Sequence, residues 1–358
     1  IDASGFDINP LATLITNTKL NLQNFRLIEV EKFLSNLQKN FNQYDLSASS
    51  FSNPERSTYL KNWFKECFFN DFEVLRSIII SEVSDPNIKN FLLCCASNIL
   101  REYSLQEPLD LRIRRRKSEY PSEKIIDKFI SECIAVTKNI ERLKILNKNK
   151  SNCRALNLDI RKYNSLITHS NFSAVITSPP YATALPYIDT QRLSLVWLDL
   201  IKPKQIKTLD SELIGSREIT KREQISFIEK LKEENLDLPE ELKHLCKKMF
   251  MSLDENDGFR RKAVPSLMYR YYCDMSLMFK NVYKLVKPHS PFALLVGKNE
   301  TTLGGKKYNL DTPQYLTLIA QNNGWFLEEK INLQTYQRYG LHSKNSVREE
   351  SLIILRKV

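Results

Sequence analysis

The chain has 358 residues, 42% hydrophobic and 27% charged, and its 53 Lys and Arg outnumber its 42 Asp and Glu for a formal net charge of +11. This is the composition of a soluble globular protein, long enough for a sizeable core in two domain-sized units or in one domain with a large insertion. It offers no apolar segment long enough to span a membrane, no signal peptide, and no disulfide frame: the seven cysteines are odd in number and form no C-x-x-C, so they read as reduced thiols of a cytoplasmic protein. Four histidines without ligand spacing argue against a metal site. The positive excess fits either a polyanionic partner or a solvated lysine-rich surface.

In chain order, Gly5-Phe6-Asp7-Ile8-Asn9-Pro10 reads as a strand end followed by a helix start, with Asn9 as cap and Pro10 in the first turn. An acid such as Asp7 at the C-terminal tip of a parallel strand is placed to meet the ribose of a nucleotide-like cofactor, or to cap its own helix. Among only eight glycines none forms G-x-G. Residues 11 to 150 are helical almost throughout, with apolar residues at three- and four-residue spacing, and Asn53-Pro54 and Asp85-Pro86 separate the helices. The basic run Arg112, Arg114, Arg115, Arg116 and Lys117 is either a solvated loop or a phosphate-contacting one.

After residue 150 strands alternate with helices. A short strand ends at Asp159, a second has Ser173–Thr177 as its body, and a helix carries Arg192–Leu200. Residues 201 to 262 read as charged and irregular. A long amphipathic helix follows from Met268, then a buried strand (Pro291–Asn299), a helix stopped by Gly324, and a closing antiparallel pair, Trp325–Thr335 with Glu349–Val358. Gly304-Gly305-Lys306-Lys307 has the wrong spacing for a phosphate loop and reads as a surface turn. The order implies an open, mostly parallel α/β sheet.

The second strand runs into Thr177-Ser178-Pro179-Pro180-Tyr181. Two prolines lack N–H groups and fix φ, so the strand ends in a stiff extended tip with outward carbonyls. The tip's carbonyls, the Ser178 hydroxyl and the flat ring of Tyr181 form a receiver for a planar base with an exocyclic amine, or simply a prolyl loop after a strand.

These residues resemble the S-adenosylmethionine-dependent amino-methyltransferases of DNA. Thr177–Tyr181 is similar to the T-S-P-P-Y signature of the N4-cytosine type, where adenine-N6 enzymes more often carry D-P-P-Y or N-P-P-Y. The resemblance runs through most of the chain: Gly5–Ala12, Leu156–Tyr163, Ile176–Leu198, Glu212–Ile219 and Tyr269–Asn299 resemble the segment after the cofactor loop, the next cofactor strand, the catalytic strand and helix, a short segment of a bacterial subgroup, and the helix and fifth strand. It implies a Rossmann-like methyltransferase sheet with an antiparallel C-terminal hairpin and a large helical insertion. The division expected is a remnant of the cofactor half at 1–20, the helical insertion at 21–150, catalytic strands at 151–200, a variable charged insertion at 201–262 suited to target recognition, and the rest of the methyltransferase domain at 263–358.

By the same resemblance, Asp7 binds the cofactor ribose and Asp159 its adenine amine. Ser178 and Pro179 hold the target amine, Pro180 stiffens the tip, Tyr181 stacks on the flipped base, and Tyr187, Arg338 and Tyr339 are further pocket candidates. The implied partner is double-stranded DNA, with a cognate restriction endonuclease as companion in a modification system. The chain departs from the family in lacking the first strand with its F-x-G-x-G loop, which leads to the expectation of a further N-terminal stretch or a second polypeptide. Ala182 stands where Trp or Phe is common. An RNA base-amine methyltransferase and an inactive relic that binds nucleic acid are the alternatives.

Overall fold

A computed structural model describes residues 1–22, 26–44, 53–146, 151–162, 171–182, 186–232, 238–334 and 349–358, with backbone alone at 140–146 and 232. The elements in chain order are β1 (Ala3–Asp7), α1 (Pro10–Asn21), α2 (Leu27–Asn40), α3 (Pro54–Lys61), α4 (Glu66–Glu82), α5 (Pro86–Ile99), α6 (Ile125–Leu146), β2 (Cys153–Asn157), β3 (Val175–Thr177), α7 (Arg192–Trp197), α8 (Ile206–Glu212), α9 (Lys221–Lys232), α10 (Glu240–Met251), α11 (Phe259–Leu285), β4 (Pro291–Gly297), β5 (Asn299–Leu303), β6 (Lys306–Leu310), α12 (Thr312–Asn322), β7 (Trp325–Gln334) and β8 (Glu349–Lys357). The protein is mixed α/β with both parallel and antiparallel pairing. No helix among the described residues is long and apolar enough to cross a membrane.

The chain divides into two compact units, residues 1–158 with 186–210, and residues 159–185 with 211–358. In the first, β1 and β2 form a parallel pair in the register Asp7 to Asn157. Helix starts here follow from single residues: the Asn9, Asn53 and Asp85 side chains accept from Leu11 N (3.0 Å), Arg56 N (3.1 Å) and Asn87 N (2.7 Å), each with Pro next in line. Each cap satisfies one N–H that the first helical turn leaves without a partner. The core of this unit unites Leu34, Phe72, Leu75, Phe91, Phe129 and Trp197 from five helices. Within it Arg56 makes a two-pronged bond to Glu73 (2.7 and 2.8 Å) and donates to the Trp197 carbonyl at the end of α7 (3.0 and 3.2 Å).

In the second unit the sheet order is β3-β4-β8-β7. β3 and β4 are parallel; β8 is antiparallel to both β4 and β7. The last strand is thus inserted between β4 and the strand that precedes it in sequence. Alternate residues Phe292, Leu294 and Val296 of β4 are buried, and α11 buries Met268, Tyr272, Met275, Phe279 and Val282 at steps of four and three in the same core. Lys357 of β8 donates to the carbonyls of Tyr283 (2.7 Å) and Val286 (2.9 Å) at the C-terminal end of α11, where a cation is favoured. Ile176, midway along β3, is 84% exposed.

Four expectations change in detail. The pairing is not mostly parallel: among the described strands β1-β2 and β3-β4 are parallel, while β4-β8, β5-β6 and β7-β8 are antiparallel. Residues 201–262 are not irregular: α8, α9 and α10 occupy much of them, and α10 buries Leu242, Cys246 and Met249 at helical spacing beneath a charged outer face. β2 ends at Asn157, two residues before Asp159. The long helix α11 begins at Phe259, nine residues before Met268. Gly304 and Gly305 do form a turn, between β5 and β6, both at positive φ (+51° and +70°). The turn is docked as well, since Gly304 N donates to Asp257 Oδ2 at 2.8 Å.

Candidate functional site

The candidate residues at the strand ends fall in two sets, one in each unit. In the first, Asp7 ends β1 and stands beside Asn157, the last residue of β2, and both side chains are exposed. Asp7 Oδ1 accepts from Asn9 N at 2.8 Å, while Asn9 itself caps α1. The helix cap is therefore Asn9, and Asp7 Oδ2 has no protein donor among the described residues. Partial desolvation holds the Asp7 carboxyl above the usual range, against the pull of the Asn9 N–H. Asn157, which sequence reasoning missed, donates Nδ2 to the carbonyls of Asp7 (3.0 Å) and Ile8 (2.8 Å). Those two bonds fix the amide and turn its Oδ1 away, so a carboxylate and an amide oxygen share one strand-end edge. Such a pair suits hydroxyl or amine donors. The available signal was the parallel register, which follows only from pairing β1 with β2.

In the second unit β3 runs out into the Ser-Pro-Pro-Tyr tip. Ser178 is exposed, Pro179 buried, and Pro180 and Tyr181 half-buried. No described residue engages the Ser178 hydroxyl or the Pro179 carbonyl. Behind them the tip is held firmly. The Tyr181 hydroxyl donates to Glu350 Oε1 of β8. Asn299 Nδ2 donates to the Ala182 carbonyl at 2.9 Å. Gly215, at φ +78°, lies against the Tyr181 carbonyl so closely that an added Cβ would sit 2.9 Å from that oxygen and 3.4 Å from Pro180 Cβ.

Gly215 belongs to the Glu212–Ile219 segment, which two arginines clamp. Arg270 of α11 donates to the carbonyls of Glu218 (2.7 Å) and Ser216 (2.5 Å), and Arg161 donates to that of Glu212. Arg161 also meets Asp159 side-on, Nε to Oδ1 and Nη2 to Oδ2 both at 2.9 Å, and reaches Asp274 Oδ2 at 3.0 Å. Asn281 pins the same loop by donating to the carbonyls of Ile160 (3.0 Å) and Arg161 (2.7 Å). Burial pushes the Asp159 carboxyl up, but Arg161's hydrogen bonds and charge outweigh it and hold the group below the usual range. Asp274, more deeply desolvated, stays above it. Asp159 thus has most of its acceptor capacity in use, and its side chain anchors the loop. The D-x-R spacing of Asp159 and Arg161 was a readable signal for this pair. Glu350, Gly215, Arg270 and Asp274 carried none.

The basic run is largely committed within the first unit. Arg114 pairs with Asp110 (2.9 Å), and Arg112 stands 3.8 Å from the same carboxylate. The Arg115 guanidinium stacks 4.5 Å from the Trp63 ring centre and donates to the Asn62 carbonyl (3.0 Å). Arg116 is internal, donating to the carbonyls of Ser104 (2.9 Å) and Glu119 (2.7 Å). Lys117 is exposed, and its backbone N–H donates to Glu107 at 3.0 Å. Arg116 is therefore corrected to a structural residue, because its planar fork is used up on backbone carbonyls. Tyr187 is half-buried in the first unit; Arg338 and Tyr339 lie outside the described residues. No family model, curated protein or solved structure matches the chain.

Proposed function

We propose that the chain is a base-amine methyltransferase that acts on double-stranded DNA with S-adenosylmethionine as methyl donor, cytosine N4 being the favoured target. The observation that carries this reading is the tip after β3: two acceptors that no described residue engages, Ser178 Oγ and the Pro179 carbonyl, beside a ring anchored on Glu350. The reversed β8 between β4 and β7 supports it, since the resemblance implies a methyltransferase sheet with an antiparallel C-terminal hairpin. Asp7 and Asn157 fit the ribose hydroxyls of the cofactor, as acceptors at the C-terminal ends of parallel strands.

The cofactor supplies an electrophilic methyl group. The chain supplies position and polarity. An exocyclic base amine is a weak nucleophile because its lone pair is delocalised into the ring. Ser178 and Pro179 accept its hydrogens and draw the nitrogen toward tetrahedral geometry, while Tyr181 stacks on the base. Fixed acceptors need no reorganisation during the reaction. Swinging the base out of the duplex costs a few kcal/mol, which stacking in the pocket offsets.

The test supplies labelled S-adenosylmethionine with duplex DNA, and tRNA in parallel, to the chain within its full reading frame. The products are digested and the methylated nucleoside identified by mass. N4-methylcytosine is expected. N6-methyladenine would keep the mechanism and change the base. Label in tRNA alone would make this an RNA enzyme, and no label in either would remove the methyltransferase reading.

A further inference from the structure

The segment from Leu105 to Arg116 folds as an irregular hairpin in the first unit. Its rungs are Arg116 N to the Leu105 carbonyl (2.8 Å) and Glu107 N to the Arg114 carbonyl (2.9 Å). The tip between them is braced. Asp110 Oδ1 accepts from Arg112 N at 2.9 Å and its Oδ2 pairs with Arg114, while Arg101 donates to the Pro108 carbonyl. At the base, the Glu107 carboxylate accepts from Lys117 N (3.0 Å) and Ser118 N (3.1 Å). On this fixed loop Leu109 is 70% exposed, Leu111 41% and Ile113 46%. Exposed single apolar residues are ordinary; three within five residues on a braced loop, with Asp110 and Arg112 between them, are not.

We propose that this hairpin is a wedge for double-stranded DNA. Arg112 and Lys117 meet phosphates, and Leu109, Leu111 and Ile113 enter a groove and pack on a base step. The charge points to a polyanion: with Arg116 spent on backbone carbonyls, four exposed cations from Leu105 to Glu119, Arg112, Arg114, Arg115 and Lys117, stand against three acids, Glu107, Asp110 and Glu119. Apolar side chains inserted between base steps partly unstack them, which is the event that releases a base from the duplex. The inference rests on the DNA partner of the functional reading but not on methyl transfer.

The test measures binding of the full protein to a duplex carrying 2-aminopurine, by anisotropy and by 2-aminopurine fluorescence, over a salt series. One variant is Leu109→Ser/Leu111→Ser/Ile113→Ser, and a second is Arg112→Gln/Lys117→Gln. All positions are exposed, so both variants should melt as the parent does. The apolar triple variant is expected to bind duplex about tenfold more weakly or worse, with an unchanged salt slope and no fluorescence rise. The charge variant is expected to keep the fluorescence rise and lose about two units of salt slope. Unchanged duplex binding by the triple variant overturns the wedge. So does loss of binding to anionic phospholipid vesicles with duplex binding intact, or stronger binding to tRNA than to duplex. If the parent methylates DNA while the triple variant binds normally, only the wedge fails. If the parent binds through the wedge and methylates nothing, only the methyltransferase reading fails.

Discussion

Gly215→Ala puts the geometry of the tip to a direct test. Alanine at φ +78° carries a left-handed strain of about 1–2 kcal/mol. Its Cβ would also meet the Tyr181 carbonyl oxygen at 2.9 Å and Pro180 Cβ at 3.4 Å, so the tip must shift by a few tenths of an ångström. Tyr181 cannot yield freely, because its hydroxyl is tied to Glu350 and the next carbonyl to Asn299. Strain and contact together give about 2–3 kcal/mol, a fall of about 5 °C or more in melting temperature. If the tip holds the target amine as proposed, a misplacement of this size should lower kcat about tenfold while leaving KM for the cofactor near its parent value. The assays are thermal unfolding and single-turnover methyl transfer. Gly305→Ala is the control: its φ is +70°, but an added Cβ meets nothing within 4 Å, so it carries the strain without the contact. If Gly215→Ala behaves like Gly305→Ala in both assays, the contact with the tip has no consequence and the reasoning fails.

Glu350→Ala should release the Tyr181 ring and reduce kcat several-fold, and Glu350→Gln, which keeps an oxygen acceptor, should restore most of it; equal loss in both would show that the tether is not what matters. Arg161→Met leaves Asp159 and Asp274 without their shared cation and should cost about 3 kcal/mol or more at pH 7 by urea unfolding. Loss of the guanidinium raises both carboxyls from their parent values, so the penalty is full at neutral pH and shrinks as pH falls toward about 4 and they protonate; a penalty independent of pH would refute the assignment. Arg56→Met strands the buried Glu73 carboxylate, whose side chain is 1% exposed, and should destabilise the first unit by about 3–5 kcal/mol, most of it recovered by adding Glu73→Leu; no recovery in that double variant would refute the pairing account.

What the sequence disclosed is what repeats locally. Met268, Met275, Phe279 and Val282 announce a helix by spacing alone, and Asn9-Pro10 announces a start because a cap and its proline are neighbours. The alternation in β4 and the closing pair β7 and β8 were equally legible. Residues 201–262 misled because charge on the exposed faces masks the narrow apolar stripe of α10. The tip's supports were hidden for a different reason. Tyr181 and Glu350 are 169 positions apart, and nothing in either residue's neighbourhood names the other. Arg112 to Lys117 reads as a uniform basic run because one dimension cannot show that Trp63, Ser104 and Glu119 already hold two of its members.

The tip also shows why an acceptor pair that no described residue engages is informative. A loop left to itself folds so that its polar atoms find partners, since an unpaired hydroxyl or carbonyl has an alternative within reach. Here the two prolines remove that freedom in front, by fixing φ and contributing no N–H that Ser178 could bond. Glu350, Asn299 and Gly215 remove it behind, by occupying the Tyr181 hydroxyl, the Ala182 carbonyl and the space against the Tyr181 carbonyl. Each support lies on a different element, and none touches Ser178 or the Pro179 carbonyl. Structural need accounts for the supports but not for what they leave open. Among the described residues three separate contacts stiffen the tip and none reaches its two forward acceptors, which is the arrangement the proposed amine-holding role requires.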